Sequence, residues 1–164
     1  MRDMPLTAKD IAEYFLLMVD EEAGDSLSNL KLQKLVYYAQ GYHLALHNAP
    51  LFQEQIEAWE HGPVIPSLYK EYRGYGSNPI PKPEEFDLEK YDGQVRELLN
   101  EVFEVYGQFS AAKLRNMTHA EKPWVEANRI SRFATIDQEV MRSYFKAQLV
   151  DAQAQDQAPE AVGR

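Results

Sequence analysis

The sequence predicts a mainly α fold, a compact single-domain helical bundle of about six to seven helices with at most a short β segment near residues 55–60. Three observations carry this expectation. Apolar residues recur at three- and four-residue spacings over most of the chain, capping residues stand where those stretches begin, and one short stretch alone alternates polar with apolar. With 164 residues and 45% hydrophobic side chains, the chain can bury one core without metal or disulfide staples.

Thr7 followed by Asp10 resembles a capping box, and Ile11, Tyr14, Phe15, Met18 and Val19 then share a helical face until the acidic run from Asp20. Ser28 suits the N-cap of a second helix, whose apolar surface from Leu32 to Leu46 is broad enough for a central position. Gly41 inside it disfavours helix and fits best where a bulky neighbour comes close. After a break at 48–50, residues 55–59 alternate as a short strand. His61 to Ser67 read as a turn entering a third helix, with Pro66 at a first helical position and a stop near Gly74 and Gly76. Pro79, Pro81 and Pro83 mark an exposed loop. Beyond it, Val95, Leu98, Leu99, Val102, Phe103 and Tyr106 give the clearest amphipathic pattern. Short helices after Ser110 and Pro123 and a last one from about Asp137 through Leu149 complete the domain, residues 1–150. Residues 151–164, poor in large apolar anchors, read as a disordered tail.

The composition narrows function. Without cysteine there is no disulfide, thiolate nucleophile or thiolate metal site, which suits a reducing compartment, the cytoplasm being the simplest. Acidic residues interrupt the first apolar stretch, arguing against export and membrane insertion. A net charge of −9 repels phosphate backbones and disfavours nucleic acid as partner, although seven bases between Lys113 and Lys146 leave room for a local basic face. His43 and His47 have metal-ligand spacing, yet no third ligand or general-base glutamate accompanies them, so solvated helix histidines are the better reading. No nucleophile elbow is present, Ser67 near His61 reads as a cap, and Glu54, Glu57 and Glu60 read as solvated charge. Neither metal nor cofactor is expected. An enzyme using His61 or His119 as a base is an alternative from another class.

The stretch from Leu27 to Tyr42, LSNLKLQKLVYYAQGY, resembles the signature helix of the Panacea domain, the SocA-like or GepA-like antitoxin domain. Pro50 to Phe52, IEAW ending at Trp59, HGPV from His61, Tyr69, THAEKPW from Thr118 and the closing Tyr144-Phe145 recur in that family's order. The resemblance spans about residues 7 to 149, nearly the whole chain. It implies an antitoxin, found in bacteria and their phages, that binds and neutralises a toxin encoded beside it, within a family that pairs with unrelated toxins. In one branch the domain instead delivers its toxin to an AAA+ protease. Self-association stays open.

Two sets of residues follow. Tyr38, Tyr42, Trp59, His61, Tyr69, Tyr72 and Tyr75 are candidates for toxin contact, being large amphipathic groups of the kind that dominate interfaces, with acidic residues expected to complement a basic toxin. The signature residues Leu30, Lys31, Leu32, Gln33, Lys34, Gly62, Pro63, Val64, His119, Pro123 and Trp124 read instead as scaffold. In that reading Lys31 and Lys34 extend their stems over the core.

Overall fold

A computed structural model describes residues 5–157. Among them are seven α-helices and one two-stranded antiparallel sheet. The helices are α1 (Ala8–Met18), α2 (Asn29–His47), α3 (Pro66–Tyr72), α4 (Gly93–Tyr106), α5 (Ala111–His119), α6 (Lys122–Ile130) and α7 (Gln138–Gln157); the strands are β1 (Glu57–Trp59) and β2 (Gly62–Val64). Local chemistry sets most starts. The Thr7 hydroxyl accepts from the Asp10 amide at 3.1 Å while Asp10 accepts from the Thr7 amide at 2.9 Å, closing the capping box of α1. Ser28, Asp92 and Ser110 cap α2, α4 and α5 by side-chain acceptance from the third residue onward. Asn48, at φ 55°, ends α2 in the left-handed region.

The centre of the bundle is α2, which packs against α1, α3, α4, α5, α7 and β2. Its positions from Leu32 through Gly41 are all buried, so it has no solvent face over nearly three turns. Gly41 allows α7 to press against it, since a Cβ there would overlap the Phe145 ring. The polar residues on α2 are used as fasteners. Gln40 donates to the Phe52 carbonyl at 2.9 Å and accepts from the Leu51 amide at 2.7 Å, satisfying backbone that the loop after α2 buries. Gln33 accepts from the Ile65 amide at 2.8 Å and donates to Asn29 Oδ1 at 2.9 Å, which anchors the end of the hairpin. Tyr37 and Tyr38 both donate to the buried Glu121 carboxyl, at 2.9 and 2.7 Å, tying the start of α6 to α2. Burial holds the Glu121 carboxyl up at about 7 despite these two donors.

The structure departs from the sequence expectations in three places. The turn expected from His61 is the second strand of a hairpin: Glu57 pairs with Val64 and Trp59 with Gly62 across a two-residue turn. Lys34 does not extend over the core but is wholly buried in it. The last helix continues to Gln157, so residues 151–157 are helical where a disordered tail was expected; 158–164 lie outside the described residues.

Candidate protein-binding site

The hairpin holds the site, and two signature residues hold the hairpin. Gly62 sits at φ 111°, and a Cβ on it would stand 2.5 Å from Lys34 Cε and 2.9 Å from Thr118 Oγ1. The hairpin backbone therefore lies directly on the buried lysine stem. Lys34 has one acceptor, the Leu30 carbonyl at 3.4 Å, and burial, reinforced by the Arg115 charge, brings its amine down to about 7. Lys31 instead reaches the Gly107 carbonyl at 2.7 Å and closes the end of α4.

A segment far along the chain covers the other edge of β1. The Ala58 amide donates to the Ala134 carbonyl at 2.9 Å, the Phe133 amide donates to the Ala58 carbonyl at 3.1 Å, and the Ile136 amide donates to the Ile56 carbonyl at 2.7 Å. These bonds hold Phe133 at φ 63°, a conformation bulky residues seldom adopt, with 49% of its surface exposed. Trp59 stands between Phe133, in an edge contact at 5.5 Å, and Tyr69 at 5.0 Å. Its indole donates to Glu57 at 2.9 Å, and its carbonyl accepts from the Trp124 indole at 2.9 Å. Trp124 in turn stacks on His119 with ring centres 4.0 Å apart. Burial, then the Arg115 charge, lowers the His119 pKa, and its Nε2 is buried without a partner.

The aromatic face opens into a groove of about 600 Å3 along Trp59, Tyr69 and Phe133, with Leu30, Val64 and His61 also lining it. A smaller cavity of about 390 Å3, lined in part by His119, Trp124 and Arg115, adjoins it and shares Glu60, Arg132 and Phe133. Neither serine nor threonine lines this smaller cavity beside His119.

The seven contact candidates divide sharply. Trp59, His61 and Tyr69 come together in the groove. Tyr75, 40% exposed, is on the surface beyond the end of α3. Tyr42 is half-buried in a different cleft between α2, α4 and α7, its hydroxyl 2.8 Å from that of Tyr106. Two expectations need correction. Tyr38 is fully buried, stacked 3.9 Å from Tyr106 and bonded to Glu121, and Tyr72 is packed in the core, so neither presents a surface to a partner. Of the signature set, Leu32, Gln33, Lys34, Gly62, Pro63, Val64 and Pro123 are buried, whereas Leu30, Lys31, His119 and Trp124 are half-buried. Phe133 was not singled out by sequence reasoning; an aromatic inside the seven-residue connection between α6 and α7 was the available signal. The carboxylates Glu54, Glu57 and Glu60 are apart in role: Glu54 accepts from the Ala8 amide at 3.1 Å, Glu57 orients Trp59, and Glu60 is on the hairpin turn. His43 is tied to the Ala49 carbonyl at 2.6 Å, and no group of three or more potential metal ligands occurs among the described residues. No described helix is long and apolar enough to cross a membrane.

Comparison with known proteins places the chain in a family. No solved structure matches the chain. It is 32% identical to "Antitoxin SocA" of Caulobacter vibrioides (strain NA1000 / CB15N) over 121 residues, which is 66% of this chain and 64% of that relative. The chain thus matches somewhat less than two thirds of the relative's length. The family model described as "Antitoxin SocA-like, Panacea domain" matches residues 32–125, more than half of the chain, from the buried face of α2 to the Trp124 contact with the hairpin, and the protein belongs to this family.

Proposed function

We propose that the protein is the antitoxin of a toxin–antitoxin pair and neutralises its cognate toxin by direct protein–protein binding at the Trp59–Tyr69–Phe133 groove. The observation that carries this reading is Phe133. Its backbone is held in an unfavourable conformation, yet about half of the residue's surface is left in solvent beside Trp59, an arrangement that core packing would not require. Exposed aromatics beside arginines have the composition of interface hot spots. The similarity to Antitoxin SocA supports the role, and the aromatic and aliphatic lining of the groove suits recognition of a protein surface. The signature residues of α2 and the hairpin act as scaffold, holding Trp59 and Phe133 in place.

Co-expression with the neighbouring gene tests this. Growth arrest by that gene product is relieved by the wild-type chain and persists with Trp59→Ala/Phe133→Ala, while the toxin level stays constant. Arrest that continues beside folded, abundant wild-type protein sinks the proposal. Relief accompanied by disappearance of the toxin replaces direct neutralisation with delivery to a protease.

A further inference from the structure

The groove and its neighbouring cavity differ in charge from the rest of the molecule. The chain has 26 acidic residues against 17 basic ones, yet the two spaces are rimmed by Arg73, Arg115 and Arg132, and Glu60 is the one carboxylate lining either. None of these arginines is ion-paired among the described residues, whose salt bridges are Lys9–Glu71, Lys90–Asp10, Lys122–Glu126 and Arg142–Glu139. Arg115 and Arg132 are positioned without a carboxylate. Arg115 donates through Nε to His61 Nδ1 at 3.2 Å and through Nη1 to Asn116 Oδ1 at 3.3 Å. The Arg132 guanidinium stands 5.2 Å from the centre of the Phe133 ring, a cation–π contact that orients the group and leaves its charge unspent. A guanidinium fork kept in place without a carboxylate is suited to accept one from outside.

We infer that the groove recognises an acidic segment of the partner protein, with its carboxylates at Arg73 and Arg132 and an adjoining large apolar side chain between Trp59 and Phe133. The inference rests on the groove being the partner-binding face. It reverses the simplest expectation from net charge, in which an acidic body meets a basic toxin. The walls decide for protein over phosphate: they are aromatic and aliphatic, and the acidic body opposes a polyanion with charge on every unit. Local positive charge in an otherwise negative surface also selects orientation, because a short acidic segment is attracted only when it faces the groove. Glu60, on the exposed hairpin turn, opposes such a ligand, so its neutralisation tightens binding.

Selection of phage-displayed random peptides of about twelve residues on the full-length chain tests the proposal without knowledge of the toxin. The enriched peptides are net acidic and contain a large apolar residue. A synthetic copy of the dominant peptide binds Arg73→Glu/Arg132→Glu at least about tenfold more weakly, Glu60→Gln a few fold more tightly, and Lys146→Glu, a distant exposed control, unchanged. All four chains melt together, because the substituted side chains are exposed. Absence of enrichment, neutral or basic consensus peptides, or retained affinity in the double reversal overturns the inference. So does a single-stranded RNA of similar length that binds the arginines more tightly than any peptide. Growth rescue separates this from the antitoxin reading: rescue retained by Arg73→Glu/Arg132→Glu refutes the acidic segment alone, whereas acidic peptides that bind a chain unable to rescue refute the antitoxin role alone.

Discussion

Replacing Lys34 by methionine raises stability and removes a pH dependence that the wild type shows. The side chain is fully buried, its amine has a single long contact with the Leu30 carbonyl, and burial together with Arg115 lowers its pKa from 10.5 to about 7. Between those values the unfolded chain binds a proton that the folded chain does not, so stability rises as pH increases from about 7 towards 10.5. Below about 7 the penalty is constant. The full shift corresponds to roughly 5 kcal/mol, an upper figure, and the portion between pH 7 and pH 9 to about 2 kcal/mol. A methionine of similar length fills the same space without a charge. Urea unfolding at the two pH values reads the effect: the wild-type midpoint rises by about 1 M relative to the Lys34→Met midpoint. Groups common to both chains cancel in that difference. Parallel pH profiles for wild type and variant would refute the reasoning, because Lys34 would then be charged in the folded state.

Three further perturbations have defined outcomes. Gly41→Ala lowers stability by about 1–3 kcal/mol in urea unfolding, because its Cβ displaces the Phe145 ring; a gain of about 1 kcal/mol, as helix propensity alone dictates, would show that α7 does not press on α2 there. Glu121→Gln abolishes a fall in stability of about 2 kcal/mol between pH 5 and pH 7, since the carboxyl raised from 4.5 to about 7 keeps its proton in the folded state and that stabilisation is lost as pH rises; a wild type with no such fall would mean an ionised Glu121. Phe133→Gly changes stability in urea unfolding by no more than about 1 kcal/mol, the relief of backbone strain offsetting the lost ring contact, while calorimetric titration with the neighbouring gene product shows weakened binding; a large stability loss would make Phe133 a core residue rather than a contact.

What could be read from the sequence was local. The caps at Thr7, Ser28 and Ser110 and the helix start at Pro66 each depend on residues within a turn, and the helices begin where those residues stand. Gly41 also announced a close approach, although not the identity of Phe145. The hairpin was hidden because β2 is three residues with a proline in the middle, and its stability comes from Lys34, Gln33 and Ala134, which are remote in sequence. Tyr38 was misread because amphipathic reasoning assumes a wet face, and α2 has none between Leu32 and Gly41. The groove could be read only in part: Trp59, His61 and Tyr69 lie close along the chain, but Phe133 joins them through backbone bonds across more than seventy residues, and the positive rim formed by Arg73, Arg115 and Arg132 is assembled from three elements.

The two-residue turn of the hairpin has a consequence for how such a protein diversifies. Glu60 and His61 are exposed at its tip, while the strand just behind is locked by Gly62 against Lys34. Substitutions at the tip therefore leave the folding equilibrium almost untouched, whereas the clasp one position away tolerates very few. If the proposed groove is the binding face, a lineage can rewrite the tip and the neighbouring phenylalanine loop and retain the same architecture beneath, a physical route to exchanging one partner for another without first evolving a new fold.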